Sequence, residues 1–294
     1  MTIHIVTDST CDLPESAIRD LPINVIPLFI NLNNRSYLDI DELSREEFYR
    51  LLPNAHPHPT TSAPSPSAFV KVYQELANNG ATSIFSIHIS HTLSAVINSA
   101  QKAAQEFNDI PVHVIDSGNL SMAEGLIVYQ AAIAAKEGKS EAEITALLEK
   151  IIPRTFAFAK LDTIDYLLKG GRITAIQHNI IGFLGIKPIL KMNNGISRMD
   201  MARTKAKAFN RVLKVATDHA LSAEVIGITH ADCPDQVAQI LKVLASLDDK
   251  MIKPLVNEVT PTLGSHVGPG ALCINWIEKE HQDEEKKKGL FKWL

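Results

Sequence analysis

The chain has 294 residues and a mass of 32.3 kDa, which exceeds one typical domain and predicts two. Hydrophobic residues make up 45% of the chain and charged residues 21%, an ordinary composition for a globular protein with a sizeable core. The net charge of -4 excludes nucleic-acid binding driven by a basic surface. No apolar run approaches the roughly 18 residues that a membrane-spanning helix needs.

The cysteines, Cys11, Cys233 and Cys273, are scattered and lack the C-x-x-C spacing of a redox motif or a zinc site. Their odd number and scatter predict reduced thiols, as in a cytoplasmic protein. The first residues predict a buried strand over 3–6 rather than a signal peptide, because no basic segment precedes an apolar run. We therefore expect a cytoplasmic protein.

Strands and helices alternate in the predicted N-terminal domain, residues 1–150. This alternation predicts a doubly wound, mostly parallel sheet, in which ligands bind at the carboxyl ends of strands. Asp8, Ser90 and Asp116 each follow or end a predicted strand, so polar side chains are expected at that edge. The predicted strands cover residues 3–6, 23–32, 83–89 and 111–115, and the predicted helices end near residues 18, 52, 76, 107, 135 and 152.

The pattern changes at Pro153, which predicts a boundary near residue 150 and a second α/β domain, with a mixed sheet, over residues 151–280. Gly170 and Gly171 predict the end of its first helix. An apolar helical region overlaps a predicted strand and turn near Lys187. The predicted strands cover residues 156–160, 187–190, 224–229, 253–259 and 271–277, and the predicted helices cover 163–168, 175–189, 202–219 and 234–247.

The last residues, 281–294, are first acidic, then basic, and finally apolar and aromatic. A flexible, charged tail is the first interpretation. The alternative is a transient membrane contact through Leu290, Phe291 and Trp293, because aromatic side chains beside lysines suit a bilayer interface.

A proline-rich stretch, residues 59–67, is expected to organise a binding site. Its prolines keep the backbone extended, and consecutive hydroxyl side chains run from Thr60 to Ser62. Ser65 followed by Pro66 predicts the cap and first turn of a helix. Hydroxyl groups at the positive end of a helix dipole suit a carboxylate or a phosphate. On these residues alone, the alternative is an ordinary connector between two elements.

Several short motifs, spread over nearly the whole chain, carry a resemblance to one family. Each motif alone is weak, but together and in this order they are specific. The chain resembles the DegV family of fatty-acid-binding proteins, which includes the lipid-carrying subunits of bacterial fatty acid kinase. The motifs are TDST at 7–10, TSAPSP at 61–66, DS at 116–117 with SM at 121–122, LDTIDYLLKGGRI at 161–173, KPIL at 187–190 and GSHVGPG at 264–270.

The resemblance implies two α/β domains with a ligand cleft between them. It implies that a long-chain fatty acid lies in an apolar tunnel there, with its carboxylate held by loop hydroxyls and a histidine. By position, the ligand-binding residues are Thr61, Ser62, Ser94 and His266. Candidate tunnel lining lies in residues 180–186 and on flanking helices, although ordinary core packing is the alternative for each of those residues.

The resemblance also implies a role in phospholipid metabolism without a catalytic residue, a metal or a cofactor of the chain's own. Arg172 and Arg203 match basic positions that the family is thought to show to a partner, the fatty acid kinase subunit. Simple solvent exposure is the alternative for both arginines.

The chain departs from the family pattern near the head group. Ala63 replaces a usual glutamine, and Ser94 is followed by Ala95 and Val96 instead of glycine and threonine. Ala95 removes a glycine that lets backbone amides approach an anion, and Val96 removes a hydroxyl.

The competing interpretation is an enzyme, a phosphotransferase or hydrolase that uses Asp8 and His266 on a kinase-like α/β scaffold. Asp8 lacks the Asp-x-Asp spacing of aspartyl-phosphate phosphatases, and short acidic side chains favour loop and helix caps. A glycine-rich loop of the Walker type is missing from the sequence, so we expect no ATP site. A regulatory sensor of small acids is a third class.

Overall fold

The computed structural model describes residues 2–172, 185–247 and 253–280, with the backbone alone for residues 197–199. The strands are β1 (Ile3–Asp8), β2 (Ile23–Ile26), β3 (Phe29–Leu32), β4 (Arg35–Leu38), β5 (Thr60–Ser62), β6 (Ser83–His88), β7 (Val112–Asp116), β8 (Thr155–Lys160), β9 (Lys187–Met192), β10 (Ile196–Ala202), β11 (Ala223–His230), β12 (Leu255–Glu258) and β13 (Leu272–Glu278). The helices are α1 (Glu15–Ile18), α2 (Arg45–Leu51), α3 (Pro66–Asn78), α4 (Val96–Glu106), α5 (Ser121–Lys136), α6 (Glu141–Ile151), α7 (Asp165–Lys169), α8 (Lys205–His219), α9 (Pro234–Ala245) and α10 (Pro261–Val267).

A four-stranded parallel sheet, in the order β2-β1-β6-β7, organises the first half of the chain. A six-stranded sheet, in the order β10-β9-β8-β13-β11-β12, organises the second half. Its neighbours are antiparallel except β11 and β12, which are parallel, so it is a mixed sheet. The predicted fold class, a parallel sheet followed by a mixed sheet with helices, is confirmed.

A third, small sheet in the order β4-β3-β5 holds the proline-rich stretch. The strand region predicted over residues 23–32 divides at Pro27 into β2, which joins the parallel sheet, and β3, which joins the small one. Proline has no N–H to donate and interrupts a strand. Ser65 caps α3 and Pro66 opens it, as predicted.

Three other predictions differ from the structure in the second half. Residues 173–184 lie outside the described residues, so the helix predicted over 175–189 is untested there, but residues 187–189 belong to β9. The helix predicted from residue 202 begins at Lys205, because Ala202 still ends β10 and Thr204 caps the helix. The motif 264–270 contains most of α10. No helix was predicted there, because glycine is unfavourable inside helices.

Helix α5 lies between the parallel and the mixed sheet. It contacts β1 as well as β11 and β13, and it is buried along most of its length, which explains why it is apolar on all sides. One hydrophobic cluster joins Ile3 and Leu126 to Val225 and Ile277. The strands of the parallel sheet end at residue 116 and those of the mixed sheet begin at 155, but the domain boundary near 150 stays a prediction.

In the part of the chain that the structure describes, no helix is both long and apolar enough to cross a bilayer. The tail, residues 281–294, lies outside the described residues, and so does the predicted membrane contact at Leu290, Phe291 and Trp293.

Candidate ligand-binding site

A cavity lies between the mixed sheet and the first half of the chain. The space open to the centre of a water molecule inside it is about 110 Å³, whereas a single water needs roughly 10–15 Å³ on that measure. Most lining side chains are aliphatic, and they come from both halves, for example Leu28 and Ile89 from the first and Leu161 and Leu263 from the second. Such a cavity suits an elongated apolar ligand.

The floor of the cavity is one face of the mixed sheet. In register across the sheet lie Leu190, Ala159, Cys273 and Thr229, with the small side chains of Ala159 and Cys273 at the centre of the row. This row crosses β9, β8, β13 and β11, a width of roughly 14 Å at the usual strand spacing. The small central side chains leave a groove across the sheet.

Thr61 and His266 meet at one side of the cavity, although they are 205 residues apart in the chain. Thr61 is the middle residue of β5 and His266 lies in the last turn of α10, and both line the cavity. The Nε2 atom of His266 lies 3.1 Å from Oγ1 of Thr61. A Cβ atom at Gly170 would overlap the imidazole, so a glycine is required there. We call these two residues the Thr61–His266 pair.

The imidazole of His266 is neutral at neutral pH. Burial, together with the positive charge of Arg172 and the neighbouring His58, lowers the pKa of His266 to about 4. Its Nδ1 atom is buried without a hydrogen-bond partner among the described residues. The single ring proton is therefore best placed on Nε2, where it is donated to Thr61. The hydroxyl hydrogen of Thr61 then stays available to a ligand.

Of the other two predicted ligand-binding residues, one lines the cavity and one does not. Ser94 lines the cavity, and its Oγ atom accepts a hydrogen bond of 3.4 Å from the backbone N–H of Val96. Ser62 is exposed at the end of β5 and is not among the described residues that line the cavity. Val96 is fully buried in a hydrophobic core that both halves of the chain share, so apolar packing stands where the family pattern has a hydroxyl. Ala63 also packs against that core.

The two predicted docking arginines occupy different environments. Arg172 is partly buried, lines the cavity and donates a hydrogen bond of 2.9 Å to the carbonyl oxygen of Gly170. Arg203 is exposed, two residues before α8 begins. Arg172 therefore places a positive charge beside the Thr61–His266 pair, a position that the motif alone did not indicate.

Asp8 is fully buried in a network rather than placed in the cavity wall. Its carboxylate lies 3.0 Å from Nδ1 of His88, and Nε2 of His88 lies 2.7 Å from Oγ of Ser86. Burial raises the pKa of Asp8, but the hydrogen bond and charge of His88, with the bonds from Thr10 and Ile89, lower it below the ordinary value. The connectivity is that of a Ser-His-Asp triad, but all three side chains are 0% exposed, which disfavours a hydrolase at this position.

Asp116 braces a loop. It accepts a hydrogen bond of 2.9 Å from the backbone N–H of Gly118, and its carboxylate lies 2.5 Å from Nδ1 of His91. In the described part of the chain, no group of three or more His, Cys, Asp or Glu side chains could hold a metal ion.

The sequence did not indicate the polar side chains in the rest of the cavity wall. Thr10, Ser121, Thr229 and Thr262 all line it and are almost fully buried. The alternation of side chains along β11 places Thr229 on the same face as the small floor residues, and this period of two is the signal that could have identified it.

A sequence profile of the DegV family, which is described as a family of uncharacterised proteins, matches residues 2–279. A DegV domain-containing protein of Streptomyces coelicolor is 35% identical over 274 residues, which cover 92% of this chain and 97% of that protein. A solved DegV family protein from Thermus thermophilus, described by its fatty acid binding, is 34% identical with a TM-score of 0.84 and covers 95% of this chain and 100% of its own. DegV of Bacillus subtilis, described as a fatty acid binding protein, is 29% identical with a TM-score of 0.86, over 95% of this chain and 100% of its own. The chain belongs to the DegV family.

Proposed function

We propose that this protein binds a long-chain fatty acid in the cavity, with the carboxylate at the Thr61–His266 pair and the tail along the floor. The observation that carries the proposal is an apolar cavity whose wall joins a neutral histidine, a hydroxyl and an arginine at one place. The fatty acid binding of the Thermus thermophilus and Bacillus subtilis proteins supports it.

The head group is held by hydrogen bonds and by one positive charge. The hydroxyl of Thr61, which accepts a hydrogen bond from His266, can donate to a carboxylate, Ser94 supplies a further hydroxyl, and Arg172 balances the negative charge. A hydrogen bond to a charged group contributes roughly 1.5–3 kcal/mol. We assign Ser62 no contact inside the cavity, because it is exposed.

The hydrocarbon tail of the fatty acid supplies most of the driving force for binding. Burying one methylene group is favourable by about 0.8 kcal/mol, so a chain of about 16 carbons gains on the order of 10 kcal/mol before ordering and association costs are subtracted. Affinity is therefore expected to increase with chain length until the cavity is full.

We propose further that the protein acts in the cytoplasm as a carrier and presents the carboxylate to a separate kinase. A carboxylate oxygen of the fatty acid would attack the terminal phosphoryl group of ATP held by that kinase, which gives an acyl phosphate and ADP. Arg203, exposed beside α8, and the outer part of Arg172 are the proposed docking residues. Asp8, the carboxylate of the enzyme alternative, is fully buried and is not among the described residues that line the cavity. This position favours the carrier over the enzyme.

Mass spectrometry of the purified, denatured protein tests this function. We expect one fatty acid per chain, and a protein that is empty and hydrolyses phosphate esters would support the enzyme instead. His266→Ala is expected to fold and to bind the fatty acid more weakly, with His56→Ala, at an exposed histidine, as the control. Unchanged affinity of His266→Ala in a titration would remove His266 from the site.

A role for the C-terminal residues 281–294 is a separate proposal. Leu290, Phe291 and Trp293 would give a transient contact with a membrane from which the fatty acid is collected. Equal binding to anionic liposomes by the full chain and by a chain that ends at residue 280 would exclude this role.

A further inference from the structure

Two hydroxyl side chains, Ser121 and Thr229, form a second polar place in a wall that is otherwise mostly apolar. Ser121 begins α5 and Thr229 lies in β11, so the two are brought together from different halves of the chain. Their oxygen atoms are 3.1 Å apart, and the side chains are 4% and 0% exposed. We call them the hydroxyl pair.

The hydroxyl pair is held by side chains behind the wall. The hydroxyl of Ser121 lies 2.6 Å from Oδ2 of Asp12, and Nδ2 of Asn275 donates to Oγ1 of Thr229 at 3.4 Å. Ser121 also has a φ angle of 55°, in the left-handed region that residues other than glycine seldom adopt. Strain of this kind persists only where the surroundings fix the residue. The pair is therefore a built feature of the wall.

Both hydroxyl hydrogens of the pair are used within the protein, whereas acceptor positions on both oxygen atoms remain. Ser121 donates to Asp12, so Thr229 donates to Ser121, and Asn275 donates to Thr229. A hydroxyl oxygen has two acceptor lone pairs, so Ser121 and Thr229 each retain one. A ligand O–H can donate to the pair without breaking any of these bonds.

Thr10, the third hydroxyl in this part of the wall, differs. Its Oγ1 atom lies 2.5 Å from Asp8 and 3.1 Å from Glu124, so both of its contacts go to carboxyl groups of the buried network. Ser121 and Thr229 instead contact each other across the two halves of the chain, and we assign the ligand contact to them.

We propose that the cavity takes fatty acids whose chain carries a hydroxyl group, and that the hydroxyl pair accepts the hydrogen bond from that group. The inference rests on the proposed function and names a ligand class for it. In a wall made only of carbon, burying a ligand hydroxyl without a partner weakens binding by about tenfold or more. The hydroxyl pair removes that penalty at one position along the chain.

The test compares octadecanoic acid with its positional hydroxy isomers in titrations of the delipidated full chain. We expect one isomer, or two neighbours, to bind within about threefold of octadecanoic acid, and isomers with the hydroxyl elsewhere to bind about tenfold more weakly. A uniform loss across all isomers would overturn the inference and leave fatty-acid binding intact. Failure of octadecanoic acid itself to bind would instead overturn the proposed function, and the inference with it.

Thr229→Val assigns the effect to the hydroxyl pair, because valine keeps the shape of threonine and removes its hydroxyl. The affinity of the favoured isomer relative to octadecanoic acid is expected to fall about tenfold. Thr155→Val is the matched control, since Thr155 is a fully buried threonine in the same sheet whose hydroxyl donates to the carbonyl oxygen of Ile151. The same ratio in Thr229→Val and in the unchanged protein would contradict the role of the pair, and Ser121→Ala provides a second variant.

Discussion

The two polar regions of the cavity differ in the charge that stands behind them. The Thr61–His266 pair lies beside Arg172, whose positive charge lowers the pKa of the imidazole. The hydroxyl pair lies in front of Asp12, and Thr10 beside it contacts Asp8 and Glu124. One region thus faces a cation and the other faces carboxyl groups.

This difference fixes the direction of an acidic ligand. A carboxylate is attracted to the side of Arg172 and repelled from the side of Asp8, whose pKa is lowered, and at short range inside a protein such interactions outweigh those in water. A neutral hydroxyl is accepted at the second region, where an anion is disfavoured. The charges near the two regions are therefore sufficient to fix the direction in which a fatty acid would lie in the cavity.

The largest expected effect concerns Asp12. Burial raises the pKa of Asp12 from 3.8 to about 7, against the opposing effects of Arg45, Ser121 and Thr260. Between these values the folded protein holds a proton that the unfolded chain releases, so the free energy of unfolding falls as the pH rises through this window. The contribution is about 4 kcal/mol, and Asp12→Asn is expected to remove it.

Urea denaturation at a series of pH values measures this slope. Asp20→Asn, at an exposed aspartate, is the control and is expected to leave the slope unchanged. If Asp12→Asn showed the same slope as the unchanged protein, the pH dependence would belong to other groups and the raised pKa assigned to Asp12 would be wrong.

His266 acts in the opposite direction. Burial and the charge of Arg172 lower its pKa from 6.5 to about 4, so between these values the unfolded chain holds a proton that the folded protein lacks. Stability from this group is complete above pH 6.5 and is lost as the pH falls through the window, by about 3 kcal/mol. His266→Ala is expected to abolish this loss in the same denaturation series. A low-pH loss that persists in the variant would assign it to other groups.

Arg172 tests the charge difference through binding. Arg172→Gln keeps a polar side chain and removes the cation, so fatty-acid affinity is expected to fall by roughly 10-fold to 100-fold, the equivalent of about 2 kcal/mol. Arg19→Gln, at an exposed arginine that pairs with Glu15, is the matched control. Equal affinities in a calorimetric titration would show that the head group is held by neutral donors alone.

The sequence predicted the frame of this site better than its contents. Alternating strands and helices predicted the parallel sheet, and Ser65 with Pro66 predicted the start of α3. The contact between Thr61 and His266 came from the family resemblance, because no local pattern joins residues that are 205 positions apart. Thr229 escaped notice because alternation in a strand shows which residues share a face, but not whether that face meets a cavity or a core.

The smallest expected effect separates two serines that the motifs treat alike. Ser94 lines the cavity and Ser62 is exposed at the end of β5. Ser94→Ala is expected to weaken fatty-acid binding about fivefold, since a neutral hydroxyl contributes about 1 kcal/mol. Ser62→Ala is expected to leave the affinity unchanged in the same titration. The reverse result would move the carboxylate from the cavity wall toward the outer side of β5, where the charge of Arg172 could no longer fix its direction.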